Sequence, residues 1–215
     1  MFALGTLINT FAIALAGLLG SWFGHLLNER HQSGLTMASG IAILFLGISG
    51  SLEGLLTLVD GQITSQKSML LVMSLALGTL IGEVLHIEGW FEKLGIWLRE
   101  RSGKAQDSQF LDAFLTASLT VCIGAMAILG AMQDGLRGDY TLLAIKSVLD
   151  FIIIFIMTAS LGKGAGFSAV PVFLFQGSIT SLARLIEPLM TEQALANLSL
   201  IGSVLIFGIG VNIVN

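Results

Sequence analysis

The chain of 215 residues is 54% hydrophobic and only 11% charged, and its mean hydropathy is +0.90. These values exclude an ordinary soluble domain, because the apolar residues occur in blocks of about 20, the length that a helix needs to cross a bilayer. The net charge of −4 comes from 10 basic and 14 acidic residues without a long basic block, which excludes a nucleic-acid-binding surface.

Apolar segments along the chain predict an all-α transmembrane helix bundle of about seven spans. No basic residue precedes the first segment, and no convincing cleavage site follows it, so it is predicted to be a retained helix rather than a signal peptide. In chain order the predicted spans are 4–24, 35–59, 69–85, 113–132, 142–161, 169–186 and 195–214.

The segment 88–101, between the third and fourth spans, combines apolar residues at helical spacing with charged residues at the remaining positions. Because tryptophan favours the membrane interface, this segment is predicted to be an amphipathic helix that lies nearly parallel to the membrane. Its predicted apolar face consists of Trp90, Phe91, Leu94, Trp97 and Leu98.

The polar stretch 102–109 is rich in small and charged residues and is predicted to be a linker. It divides a single transmembrane domain, 1–215, into a first half, 1–101, and a second half, 110–215. The loop that contains this linker holds most of the excess of basic residues, so the positive-inside rule places it in the cytoplasm and the N-terminus outside.

Two parts of the chain repeat the same order of residues. Glu53, followed by Gly and Leu, precedes a Lys-Ser pair at 67–68, and Asp134, also followed by Gly and Leu, precedes a Lys-Ser pair at 146–147. The echo shifts by two spans, so the copies would have the same orientation and the repeat would be parallel. Chance similarity between apolar segments is the alternative.

The strongest candidate site is a group of polar residues at the fourth and fifth spans: Gln133, Asp134, Lys146 and Asp150. An ionised side chain at the bilayer centre costs about 2.5–3.5 kcal/mol, so such residues usually face a protein interior or a wet cavity. Lys146 and Asp150 are four residues apart and can pair on one helix face, and Asp134 could complete the group. The alternatives are an ion pair that fixes the helix register, and a lysine that extends to the interface.

Three further polar residues are candidates for binding an ion or solute. Glu53 stands among glycines in the second span. Asn9 lies in the first span. Gln176 lies in the sixth span, on the same helix face as Thr180. Glycines at this density suit close helix packing or a broken helix whose freed backbone groups line a site. Hydrogen bonding between helices explains Asn9 and Gln176 equally well.

The sequence lacks the common motifs of hydrolases, metalloproteases and nucleotide-binding proteins. Its single cysteine, Cys122, excludes an intrachain disulfide and a cysteine metal cluster. We therefore predict that the protein is not an enzyme and has no cofactor or metal centre.

Two stretches around the charged group are distinctive: GAMQDGLRGD at 130–139 and AIKSVLDF at 144–151. Together with GTLIN at 5–9 and LIGE at 80–83, they resemble the bacterial YqgA/YdfK-type membrane proteins over nearly the whole chain. That family has no known function. The resemblance implies a multi-span bacterial membrane protein and assigns neither a substrate nor a catalytic residue.

The sequence favours a small transporter or channel for an ion or small solute in the bacterial cytoplasmic membrane. Membrane lipids would surround it, and a homo-oligomer is expected because seven short helices form a thin bundle. The second hypothesis is a membrane scaffold or assembly partner without a transport cycle. A carrier needs a solvated path to Asp134, Lys146 or Asp150, whereas a scaffold buries these groups in dry pairs.

Overall fold

The computed structural model describes residues 3–59, 61–103, 109–122 and 125–215. In these ranges the chain forms α-helices and one β-hairpin, with short 3-10 segments at Lys163–Ser168 and Glu187–Leu189. The helices are α1 (Leu4–Gly24), α2 (Glu29–Leu55), α3 (Ser68–Val84), α4 (Ile87–Arg101), α5 (Phe110–Cys122), α6 (Ala125–Arg137), α7 (Thr141–Leu161), α8 (Ala169–Ile186) and α9 (Glu192–Val214). The hairpin strands are β1 (Leu56–Val59) and β2 (Gln62–Ser65).

Five helical segments are long and apolar enough to cross a membrane, namely α1, α2, α7, α9, and α8 with the 3-10 turns on either side of it. Two bent pairs complete the bundle: α3 meets α4 at 57°, and α5 meets α6 at 62°. If each pair is one span, the count is 7. The predicted all-α transmembrane bundle is thus confirmed.

The interior of the bundle is partly polar and its outside is apolar. Asn9 and Gln176 are buried, whereas Phe11, Leu18 and Phe45 are exposed on the outer helix faces. A central apolar core lies between α1, α5, α7 and α8, around residues such as Ile154. This inverted distribution suits a protein whose outer surface contacts hydrocarbon.

Close backbone contacts join α1 to α7 and α2 to α9, two pairs that link the first part of the chain to the second. Glycine makes this approach possible. A Cβ atom built on Gly47 of α2 would lie 2.5 Å from the backbone nitrogen of Phe207 in α9. The glycine-rich helices therefore serve close packing here, as one of the two interpretations of the sequence expected.

We expect Gly47→Ala to lower the thermal stability of the purified protein, because the added methyl group collides with backbone that cannot move aside. Overpacking of this kind costs about 1–3 kcal/mol. Gly78→Ala in α3 is the matched control, since a Cβ there meets no atom within 4 Å. Unfolding curves in detergent that shift equally for both variants would contradict this role for Gly47.

The second span ends four residues earlier than predicted, so its predicted C-terminal end is wrong. α2 ends at Leu55, and 56–59 form the first strand of a hairpin in which Thr57 pairs with Thr64. Gly61 provides the turn with a φ of +78°. A short apolar run with β-branched residues fits a strand as well as a helix end, which explains the error.

The fourth span, predicted as one helix over 113–132, is instead two helices. α5 ends at Cys122 and α6 continues at an angle of 62°. Residues 123 and 124, between them, lie outside the described residues. Both halves are apolar, so hydropathy could not reveal the break, which leaves the last carbonyl groups of α5 without helical partners.

The segment 88–101 is helical, as α4, and part of its predicted apolar face is buried. Leu98 packs with Phe110 and Phe114 of α5, whereas Trp90 and Trp97 are 75% and 52% exposed. The angle of α4 to the bilayer stays a prediction. So does the division at the linker 102–109, because 104–108 lie outside the described residues.

Candidate functional site

A buried polar cluster lies where α1, α6, α7 and α8 meet. Its residues are between 0% and 6% exposed, and they are Thr6, Asn9, Asp134, Lys146, Asp150, Gln176 and Thr180. Asp150 stands nine positions after the first residue of α7. At 1.5 Å per residue this is about 13 Å along the helix, close to the centre of a hydrocarbon core of about 30 Å.

One part of the cluster, here called the ion-pair layer, comprises Asn9, Lys146, Asp150 and Gln176. The Lys146 ammonium donates to Asp150 Oδ2, as the four-residue spacing on α7 predicted. Asn9 Nδ2 donates to the same Oδ2 at 3.0 Å and to Gln176 Oε1 at 3.3 Å. The ion pair of α7 is therefore tied to both α1 and α8.

The broken span supplies a further partner for the lysine. Lys146 Nζ donates to the carbonyl oxygen of Val121 at 2.9 Å. Val121 is the penultimate residue of α5, and in a continuous helix its carbonyl would accept from an amide four residues later. Because α5 ends at Cys122, that oxygen is available to the ammonium.

A second part, here called the carboxylate layer, comprises Thr6, Asp134 and Thr180. Asp134 Oδ2 accepts a hydrogen bond from the backbone N–H of Thr6 at 3.2 Å. Thr6 is in the first turn of α1, where amides lack helical acceptors, and the helix dipole favours a negative group there. The hydroxyl oxygens of Thr6 and Thr180 lie 3.1 Å apart.

Asp134 thus bonds to α1, whereas the sequence had suggested that it could complete the Lys146–Asp150 group. Gly5 allows this arrangement because it has no side chain. A Cβ there would lie 3.1 Å from Asp134 Oδ2 and 2.9 Å from Leu143 Cβ. Close approach of α1 to α6 and α7 is needed to bring the Thr6 amide to the carboxylate.

Three polar atoms of the cluster are buried and have no hydrogen-bond partner among the described residues. They are Asn9 Oδ1, Asp134 Oδ1 and Gln176 Nε2. Leaving such an atom unsatisfied costs about 1–3 kcal/mol, so most buried polar groups in proteins are paired. Their gathering in one cluster indicates a place where a further group can bind.

The structure places two of the predicted site residues apart from these contacts. Glu53 is exposed on α2, outside the four helices that form the cluster. Gln133 is half-buried on α6, next to Asp134. Glu53 and Asp134 lie in different surroundings, one exposed and one buried, and the parallel repeat that would match them stays a prediction.

Sequence reasoning did not propose Thr6, Thr180 or the Val121 carbonyl as site groups. Thr6 stands three residues before Asn9, so both face the same side of α1. That spacing could have indicated Thr6, as the spacing of Gln176 and Thr180 indicated a polar face on α8. No sequence signal pointed to a carbonyl at a helix break.

A polar cavity of about 630 Å³, here called the vestibule, opens at the end of the bundle where α5 begins. Its lining includes Gln32, Asp112, Thr116, Ser160 and Asn212. A neighbouring cavity of about 430 Å³ between α5 and α9 shares three of these residues. Neither cavity is lined by the cluster, although Thr116 is only five residues before Val121 on α5.

Comparison with known proteins agrees with the resemblance noted in the sequence. The chain is 30% identical over 209 residues to the uncharacterized membrane protein YdfK of Bacillus subtilis. The matched residues cover 97% of this chain and 85% of YdfK. It is 29% identical over 214 residues to the uncharacterized protein YqgA of Escherichia coli, with 98% and 86% covered. No solved structure matches.

The family described as "Protein of unknown function (DUF554)" matches residues 4–215, which include every helix that forms the buried polar cluster. Both relatives are uncharacterized, so neither brings an assigned site to this chain. The chain therefore belongs to the DUF554 family of membrane proteins.

Proposed function

We propose that this protein is a small carrier or channel that moves an ion or small solute across the bacterial cytoplasmic membrane. The observation that carries the proposal is the Lys146–Asp150 pair, buried near the bilayer centre and bonded to the end carbonyl of a broken helix. Broken helices whose freed carbonyl groups face buried polar residues are a common form of ion site in transporters.

If the ion pair served packing alone, the desolvation of two charges would make it less favourable than apolar residues of similar size. Replacing a buried pair by apolar residues of similar size is often neutral or stabilising, because desolvation offsets the attraction between the charges. The neighbouring positions of α7, such as Ile154 and Met157, show that apolar residues fill this interior well. Retention of two opposite charges here supports a role beyond packing.

The vestibule supplies a route from one side of the bundle. Its polar lining reaches Thr116, and the five residues from there to Val121 correspond to about 7.5 Å of helix. In the state described, protein closes that interval, so transport requires α5 or α7 to move. The bend between α5 and α6 is the element best suited to open the path, because a break absorbs rotation at little cost.

A membrane scaffold is the second candidate, and the burial of the pair favours it. The cluster is closed to both cavities, as expected for dry pairs that only hold helices together. The two candidates differ in whether any ion crosses the protein.

Proteoliposomes distinguish these candidates. Vesicles that contain the purified protein would receive imposed gradients of H⁺, Na⁺ or K⁺, and dyes would report dissipation. Loss of a gradient faster than in protein-free vesicles supports transport. Rates no faster than in protein-free vesicles for all three ions would contradict an ion carrier or channel and favour the scaffold.

We also propose that the protein is a homo-oligomer. α3 has no buried residue, so the single chain leaves most of this helix available for contact with a second copy. Seven short helices also form a thin bundle, and packing between the α3 helices of two copies would widen it. Light scattering of the purified protein in detergent should give a mass that is a multiple of 22.7 kDa, and a single-chain mass would contradict the proposal.

A further inference from the structure

We infer that the carboxylate layer, together with the amide oxygen of Asn9, binds one dehydrated sodium ion. This inference names the ion for the proposed function. The role of the ion in transport rests on that proposed function. The binding site itself requires no transport cycle and can be tested alone.

The oxygen atoms of the site come from three helices that meet at two adjacent levels. Thr6 and Asn9 share one face of α1, and they contact Thr180 and Gln176, which share one face of α8. The two levels are about one helical turn, or 5 Å, apart. Asp134 of α6 contacts the Thr6–Thr180 level through the Thr6 amide.

Two of the three unpartnered atoms of the cluster indicate a cation, and the third, Gln176 Nε2, is a donor that would not bind one. Asn9 Oδ1 and Asp134 Oδ1 are both acceptors, and both are buried without a hydrogen-bond partner among the described residues. Asn9 already uses its amide nitrogen on Asp150 and Gln176, which fixes which end of its side chain is the free oxygen. A proton on Asp134 would leave Asn9 Oδ1 unsatisfied, whereas a metal cation can accept electron pairs from both oxygens.

The net charge of the cluster also indicates a cation. The cluster holds two carboxylates, Asp134 and Asp150, and one ammonium, Lys146, so its net charge is −1 when all three are ionised. An unbalanced charge in the membrane interior is strongly unfavourable. One monovalent cation makes the cluster neutral, while a divalent cation would replace an excess negative charge by an excess positive one.

The donor set and the packing favour sodium over larger ions. Carboxylate, hydroxyl and amide oxygens are hard ligands, which suit alkali and alkaline-earth cations. The helices approach closely around the layer, since a Cβ on Gly135 would lie 2.3 Å from the carbonyl oxygen of Thr180. Such close backbones disfavour a larger ion.

Thermal unfolding of the full chain in detergent tests the site. Cys122 is the single cysteine and is buried, so a thiol-reactive dye reports its exposure on unfolding. The midpoint should rise with Na⁺ in a saturable way when choline keeps the ionic strength constant. K⁺ should need at least about a tenfold higher concentration for the same shift, which corresponds to about 1.4 kcal/mol.

Variants locate the effect. Asp134→Asn should lose the Na⁺-dependent rise, and Thr180→Val should raise the half-maximal Na⁺ concentration at least about tenfold. Thr180→Ser keeps the hydroxyl and should retain the response. Glu92→Gln, which removes an exposed carboxylate on α4, is the matched control and should behave like the wild type. If Asp134→Asn does not fold, the comparison of Thr180→Val with Thr180→Ser tests the site.

Three results would overturn the inference: no more stabilisation by Na⁺ than by choline, an unchanged Na⁺ response in Thr180→Val, or stabilisation by acid alone. Transport is judged separately by flux. Na⁺ stabilisation without flux of any ion would retain the site and reject the carrier. Flux of H⁺ or K⁺ without Na⁺ stabilisation would retain the carrier and reject the site.

Discussion

Asp150→Asn should abolish ion flux in proteoliposomes while the protein remains folded and correctly assembled. The amide has nearly the shape of the carboxylate, and its oxygen can still accept hydrogen bonds from Lys146 and Asn9. The variant lacks the negative charge, so the Lys146 ammonium loses its counter-ion and the cluster can no longer exchange a cation in the same way.

Flux for this variant is compared per folded molecule, with the amount of monodisperse protein determined by gel filtration. Glu92→Gln is again the matched control, because it also changes a carboxylate to an amide but lies exposed on α4. Thermal stability should fall whether or not the pair has a function, because Lys146 loses its charged partner. A purely structural pair predicts that any flux per folded molecule stays unchanged.

Lys146→Met should lower the free energy of unfolding by about 3–5 kcal/mol, the typical cost of leaving one buried charge unpaired. Asp150 would then retain Asn9 as its neighbour but no positive charge among the contacts described here. Adding Asp150→Asn to the same chain removes the second charge. The double variant should therefore recover most of the lost stability, although not the flux.

Unfolding of both variants by heat or denaturant in detergent provides this comparison. Lys93→Met is the control for loss of a lysine, since Lys93 is exposed on α4 and its replacement should change stability by no more than about 0.5 kcal/mol. The pair would not be coupled in the way described if Lys146→Met were as stable as Lys93→Met, or if the double variant were the sum of the single ones.

The features that depend on local sequence were predictable. Blocks of apolar residues identified the helix bundle, because the thickness of the hydrocarbon core fixes the length of a span. The spacing of Lys146 and Asp150 predicted their pairing, because residues four apart share a helix face. Both inferences need only a regular helix.

The features that depend on distant contacts were not predictable. Asp134 bonds to an amide 128 residues earlier in the chain, and no spacing rule connects those positions. The break between α5 and α6 joins two apolar helices, so it leaves the hydropathy unchanged. Glu53 resembled Asp134 in its sequence neighbours, but its side of α2 lies outside the cluster. The site therefore had to be assembled from tertiary contacts.

Because the cluster is formed by distant contacts, no sequence motif assigns its role, and that role must be measured. Uptake of radioactive sodium by proteoliposomes, measured side by side for the wild type and Asp134→Asn, tests most directly whether an ion crosses through the buried polar cluster. We expect saturable uptake by the wild type and background uptake by Asp134→Asn. Uptake by the wild type no faster than by protein-free vesicles, or equal uptake by both proteins, would show that sodium does not cross through this cluster.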